Sequence, residues 1–242
     1  NLLALQNAVL SYQADMGLAM DGDAGRVGVV DDEGVLLEPG QYMALLLSHL
    51  LKTRSPLGPV ARTRAAGTLV DRVAARNGLQ VHETQLGFAY LSQTLRERAC
   101  MLVGDETGQL GITGHVPVAD GILAGLLAVE MLLGEGRPLS LIVKEFAADY
   151  GSPVYLRYSI PFEQANREEV EKKMIGCQLR NLAGMKVILC DWERDLKISM
   201  ENGNWVLVRM SGLDNFLDVY IEGESQEQVE LIKDGLLHML DL

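Results

Sequence analysis

The chain has 242 residues, 48% of them hydrophobic and 22% charged, with a net charge of −12 at pH 7. That composition supports one large or two ordinary packed domains. So acidic a chain, with its Lys and Arg scattered along it, repels polyphosphate backbones and excludes nucleic acid as an expected partner.

Cys100, Cys177 and Cys190 are widely spaced and odd in number. This argues against a disulfide framework or zinc site and for a reducing, cytoplasmic compartment. The longest apolar run, from Ile122, is broken by Glu130 and too short to span a bilayer, so no membrane partner is expected. The opening NLLALQNAVLSYQAD starts mid-helix, with neither an initiator Met nor a signal peptide, and is expected to belong inside a longer protein.

Taken in order, residues 1–13 carry apolar side chains at helical spacing. Met16–Met20 and Val27–Val30 read as strands around an acidic loop, and Val35–Leu37 continues the second after a DDEG turn. Glu38, Pro39 and Gly40 open a helix through Lys52. GPVART, LQVHET and ACMLVG then read as strands that alternate with the helices TLVDRVAARNG, closed by Gly78, and GFAYLSQTLRER. A Gly-rich loop, residues 104–117, leaves the last of these strands before two further helices. Such alternation predicts an α/β layer structure with a mixed, mostly parallel sheet, whose functional loops lie at the carboxyl ends of strands. After Gly151 the texture changes to strand-like runs (YLRYSI, MKVILC, DLKISM, WVLVRM, LDVYIEG) with flanking helices, which predicts a small α+β domain.

Three segments could carry chemistry. In DGDAGR, Asp21 and Asp23 stand one residue apart, so both carboxylates can face one hard cation; Asp and Gly are also ordinary formers of a solvated turn. In GDETG, glycines let backbone amides approach a polar ligand while Asp105, Glu106 and Thr107 supply hydrogen-bonding groups, or the segment is simply a long loop. In VRMSGLD, Arg209, Ser211 and the Gly212 amide could cradle a phosphate, or form a hairpin turn. His49, His82, His115 and His238 show no triad-like grouping and read as packing or surface residues.

The order of these segments is more informative than any one of them. DGD-A-x-R, HETQLGF, GDETG…GH-P…DGILA and R-x-SG…VYIE, collinear through essentially the whole chain, resemble the α-D-phosphohexomutases, the phosphoglucomutase/phosphomannomutase family. The resemblance implies four domains around a cleft, of which this chain would hold the tail of domain two (1–36), the α/β/α domain three (37–151) and a TATA-box-binding-protein-like domain four (152–242). It also implies intramolecular phosphoryl transfer on a hexose phosphate. A phosphoserine in the absent N-terminal domains would deliver the phosphoryl group, and Mg²⁺ on three aspartates would polarise it. On this correspondence Asp21 and Asp23 are metal ligands and Arg26 is catalytic. Asp105, Glu106 and Thr107 occupy the GE-x-SG sugar loop, and Arg209, Ser211 and Gly212 the RxSGTE phosphate loop.

Several family positions are altered. Gly25 replaces the third aspartate of DGDADR, so Mg²⁺ binding is expected to be weak or lost. Ala89 stands where G-F-K has a lysine, Ala119 where GHIPERDG has an arginine, and Leu213-Asp214 where the phosphate loop has Thr-Glu. Asp218 replaces a later arginine; one unit-charge pair at about 5 Å and an effective dielectric near 20 is worth about 3 kcal/mol. That exchange would cost several kcal/mol of phosphate binding unless Asp218 points away. The expected function is therefore part of a phosphohexomutase with impaired catalysis. An active enzyme on an altered sugar phosphate, or a non-catalytic sugar-phosphate sensor or scaffold, are the alternatives.

Overall fold

A computed structural model describes residues 2–55, 58–211 and 215–242, with the side chain of Ala165 also undescribed. The chain divides into two compact units, Asn1–Gly151 and Ser152–Leu242.

The first unit opens with helix α1 (Leu3–Tyr12) and an antiparallel hairpin, β1 (Met16–Met20) and β2 (Val27–Asp31), with Met20 opposite Val27. The expected strand extension at 35–37 reduces to an isolated bridge between Val30 and Leu36. Asp31 breaks the strand there: its Oδ1 accepts from the backbone amides of Glu33 (3.0 Å) and Val35 (2.8 Å), and a side chain that bonds its own backbone favours a turn over a ladder.

Helix α2 (Pro39–Thr53) has Pro in its first turn, where the missing amide costs nothing, and buries Tyr42 through Leu47 without interruption. A helix buried on most of its circumference is a core element. Around it run β3 (Val60–Thr63), α3 (Leu69–Arg76), β4 (Val81–Thr84), α4 (Phe88–Arg98), β5 (Leu102–Gly104), β6 (Leu110–Ile112), α5 (Gly121–Glu135) and α6 (Leu139–Tyr150). The sheet order is β4-β3-β5-β6, with the first three strands parallel and β6 antiparallel. All four residues of the central β3 are buried, as a parallel strand covered on both faces requires. Helix α3 stops where the sequence places its cap: Gly78 takes φ +69°, and Leu79 N donates to Ala74 O at 2.9 Å.

The second unit is an antiparallel sheet of order β7-β12-β11-β10-β9-β8. It is built from β7 (Val154–Pro161), α7 (Arg167–Ile175), β8 (Asn181–Leu182), β9 (Met185–Trp192), β10 (Leu196–Met200), β11 (Trp205–Met210), β12 (Phe216–Gly223) and α8 (Gln226–Leu240). Val206, Val208, Leu217, Val219 and Ile221 alternate along β11 and β12 and pack with Val170 and Met174 of α7 and Val229, Ile232, Leu236 and Leu240 of α8. Strand period two meets helix period 3.6 in one core, leaving Arg209 and Asp218 on the face away from the helices. The chain is thus a mixed α/β domain followed by an α+β domain. Among the described residues no helix is long and apolar enough to cross a membrane.

Cys177 and Cys190, 13 residues apart in sequence, lie with their Sγ atoms 3.3 Å apart, both as free thiols. The fold of the second unit makes this pair; linear spacing gave no sign of it.

Candidate functional site

The acidic loop is shaped by its backbone. Ala24 N donates to Asp21 O (3.0 Å), and Ala24 takes φ +55°, a left-handed conformation that costs a residue with a Cβ roughly 1–2 kcal/mol. The contact that holds it there is Gly121 N donating to Ala24 O at 2.7 Å, at the start of α5. A Cβ at Gly121 would lie 2.5 Å from Arg26 O, so only glycine permits this approach.

Asp21 Oδ1 accepts from Arg26 N (3.0 Å), and Arg26 Nε lies 3.6 Å from Asp21 Oδ2. That backbone hydrogen bond, followed by the neighbouring Asp23 and Arg26 side chains, holds the Asp21 carboxyl below its ordinary value. Asp23 is exposed, its Oδ1 3.4 Å from Gly25 N. Both carboxylates therefore offer the hard oxygen donors that suit Mg²⁺. Among the described residues no three His, Cys, Asp or Glu side chains converge to hold a metal, so a cation in this loop would have at most the two carboxylates of Asp21 and Asp23. The position of Gly25 could accept a third: a Cβ there would stand 3.5 Å from Asp23 Oδ1 and 3.4 Å from Gln109 Nε2, ordinary contacts.

The Gly-rich segment is stitched to this loop. Val27 N donates to Gly108 O (3.1 Å), Arg26 and Gln109 form an isolated antiparallel bridge, and a Cβ at Gly108 would meet Val27 O at 2.7 Å. Residues 104–117 are not one long loop, because Leu110–Ile112 pairs with β5 as a hairpin. Asp105 makes that turn. Its Oδ1 accepts from Thr107 N (2.9 Å), Thr107 Oγ1 (2.8 Å) and Gln109 N (2.9 Å), and the residue is only 4% exposed. Burial pushes its carboxyl up, while those amide donors and the nearby Arg26 pull the other way. Asp105 and Thr107 thus satisfy one another, and Glu106 accepts from Thr63 Oγ1 at 2.6 Å.

Thr63 belongs to a group absent from the sequence reading. At the carboxyl end of β3, Arg62 donates through Nε and Nη2 to both oxygens of Asp71 (2.7 and 2.5 Å) and through Nη1 to Glu83 Oε2 (2.8 Å). Burial opposes the Arg62 charge, but Asp71 and Glu83 hold its pKa above the ordinary value. Arg62 and Arg64 on either side of Thr63, within and just after β3, were the available signal, since buried charges survive only when paired. Nearby, Asp120 caps α5 by accepting from Leu123 N (2.8 Å) and pairs with His115 Nε2 (2.8 Å). Gly87, at φ +113°, leads into α4, where Phe88 packs with Leu91 and Leu95 beside Ala89.

In the second unit Arg209 stands opposite Asp218, which stands opposite Ser159 on β7. Asp218 Oδ1 accepts from Arg157 Nη2 (3.2 Å) and Ser159 Oγ (2.9 Å), so its charge already has a partner. Arg209 is exposed and makes no side-chain ion pair among the described residues. Ser211 is anchored by its backbone, its carbonyl accepting from Arg167 Nη2 at 2.7 Å. Gly212, the third residue of this cradle, and Leu213 and Asp214 beside it, lie outside the described residues.

Residues 38–150 match the family model for the α/β/α domain III of phosphoglucomutase/phosphomannomutase. A phosphoglucosamine mutase of Anaplasma marginale is 28% identical over 94% of this chain and 46% of its own length. A phosphoglucomutase/phosphomannomutase of Thermococcus kodakarensis is 28% identical over 94% of this chain and 47% of its own length. The crystal structure of a phosphoglucomutase/phosphomannomutase family protein from Burkholderia thailandensis superposes with a TM-score of 0.82, at 18% identity, over all of this chain and 49% of that one. The chain spans about half the length of the curated relatives it matches. The domain model over residues 38–150 and the collinear relatives support one ancestry, the α-D-phosphohexomutase family.

Proposed function

We propose that this chain supplies the metal, sugar and phosphate loops for intramolecular phosphoryl transfer on a hexose phosphate, with catalysis impaired relative to its family. The phosphoserine is expected from domains N-terminal to this stretch. Asp21 and Asp23 would hold Mg²⁺ weakly, sharing a largely hydrated ion with a substrate phosphate; when bound, the ion supplies charge stabilisation to the transferring phosphoryl group. Arg26 keeps Asp21 ionised and ready as a ligand. Glu106 and Thr107 would meet sugar hydroxyls, and Arg209 with Ser211 and Gly212 would grip the phosphate that stays put.

The observation that supports this reading most directly is the seam between the two loops, Val27 N to Gly108 O with the Arg26–Gln109 bridge, which joins the segment of Asp21 and Asp23 to that of Glu106 and Thr107. Impairment is supported by the two-carboxylate metal set and by Asp218, which brings a negative charge beside Arg209 even though Arg157 offsets it.

A second reading, sugar-phosphate binding without turnover, is favoured by Asp105, whose carboxylate is consumed by its own turn. One pair of measurements separates the two. Full-length protein given glucose 1-phosphate, Mg²⁺ and the bisphosphate activator should convert it slowly, and calorimetry should show hexose-phosphate binding. Turnover at a rate typical of enzymes, a kcat of roughly 10 s⁻¹ or more, would overturn the impairment. Binding without any turnover would establish the second reading, and no binding would overturn both.

A further inference from the structure

The Cys177–Cys190 pair stands apart from the proposed phosphoryl-transfer chemistry. Cys177 follows Gly176 at the end of α7, and Cys190 lies on β9 opposite Ile198 of β10. Their sulfurs are 3.3 Å apart, and Met239 Sδ of α8 lies 4.0 Å from Cys177. Both cysteines are part-exposed, whereas Cys100 is fully buried. A disulfide needs about 2.05 Å between sulfurs, so the gap left to close is roughly 1.2 Å.

We propose that Cys177 and Cys190 are a reversible dithiol–disulfide site that staples α7 to the sheet, oxidised by exchange with a small-molecule disulfide. Cys190, as thiolate, attacks one sulfur of the oxidant; that S–S bond breaks, a mixed disulfide forms and one small thiolate leaves. Cys177 gives its proton to solvent and attacks Cys190 Sγ, releasing the second small thiolate. Two protein thiols are oxidised and one external disulfide is reduced to two thiols. Burial and the adjacent Cys190 push the Cys177 thiol up to about 12, so its part in the second, intramolecular step rests on proximity and not on its thiolate fraction.

The element being stapled is lightly held. Helix α7 has nine residues and buries only Val170 and Met174. Its first residue, Arg167, holds the Ser211 carbonyl at the root of the phosphate loop. The crosslink would fix the other end, so oxidation state bears on the Arg167–Ser211 contact through one short helix.

The test is incubation of the chain with oxidised glutathione, thiol titration in denaturant and peptide mapping. Two of the three thiols should disappear, a peptide joining Cys177 to Cys190 should be recovered, and Cys100 should remain free. Closing this short loop should also raise Tm by about 5 °C, reversed by dithiothreitol. Cys177→Ser should yield a glutathione adduct on Cys190 in place of the link, and Cys190→Ser should leave Cys177 largely unmodified. A persistent glutathione adduct on wild-type Cys177 or Cys190, or three titratable thiols under conditions that fully oxidise a reference dithiol, would overturn the proposal.

Discussion

Two acidic turns lie side by side in the first unit and use their carboxylates in opposite ways. Asp105 turns inward, is 4% exposed and spends its oxygens on Thr107 and Gln109, so its charge is a burden that burial pushes toward protonation. Asp21 and Asp23 face outward around a loop held by backbone contacts, and Asp21 is kept ionised by the Arg26 amide. The difference lies in what makes the turn: backbone contacts carry it in the first loop beside the Asp21–Arg26 hydrogen bond, whereas a buried carboxylate carries most of it in the second. Ala24, Gly121 and Gly108 do that work for the first loop; Asp105 does it for the second.

The contrast breaks most visibly at Asp105. Asp105→Ala would leave the Thr107 and Gln109 amides without their acceptor, and a buried donor left unsatisfied costs about 1–3 kcal/mol. A loss of about 2 kcal/mol in urea unfolding is expected. Asp105→Asn keeps one oxygen in place and should cost less. Because the folded pKa is raised, the protonated form is favoured by folding. That contribution is full below the ordinary value of 3.8 and fades as pH rises through the raised one. Stability of the Asn variant should lack this segment of the pH profile; a profile that superposes on wild type would mean that Asp105 is not the buried charge described here.

Asp120 should show a smaller effect of opposite sign. Its carboxyl is lowered, first by the Leu123 amide it caps. Its stabilisation is therefore present above 3.8 and is lost as pH falls through the depressed value. Asp120→Ala should cost about 1 kcal/mol at neutral pH, the usual worth of an N-cap. It should also loosen the Gly121–Ala24 contact that fixes the acidic loop, visible as faster amide exchange at Gly121. Equal exchange in both proteins would uncouple the helix start from the loop.

Sequence made the frame of both turns legible, because strand alternation, the Pro39 start and the Gly78 stop are local signals that the folded chain obeys. The family was readable from four motifs in order. What stayed hidden was long-range. Nothing local says that Thr63 will meet Glu106, 43 residues on, or that Arg157 will reach Asp218, 61 residues on, and offset the charge that looked so unfavourable beside Arg209. The Gly-rich segment misled for a related reason: its glycines suggested an open loop, whereas Asp105, Leu110 and Ile112 make a hairpin of it.

The outward loop should barely register in stability, and there the comparison is sharpened by ligand instead. Asp21→Asn keeps an oxygen for the Arg26 amide, and Asp23 is exposed, so Asp21→Asn and Asp23→Asn should leave Tm essentially unchanged. Each should nonetheless abolish whatever Mg²⁺ the loop holds, since Mg²⁺ at such a site depends on one or two carboxylates. Gly25→Asp runs the experiment in reverse. The backbone there is not left-handed and a Cβ would make only ordinary contacts with Asp23 and Gln109, so a third carboxylate can be added without rebuilding the turn. Titration calorimetry should find Mg²⁺ bound at least about tenfold more tightly, because one added unit charge at roughly 4–5 Å is worth more than 1.4 kcal/mol even when partly screened. If affinity is unchanged while the variant folds normally, Asp21 and Asp23 do not face a common ion, and the outward loop is a solvated turn after all.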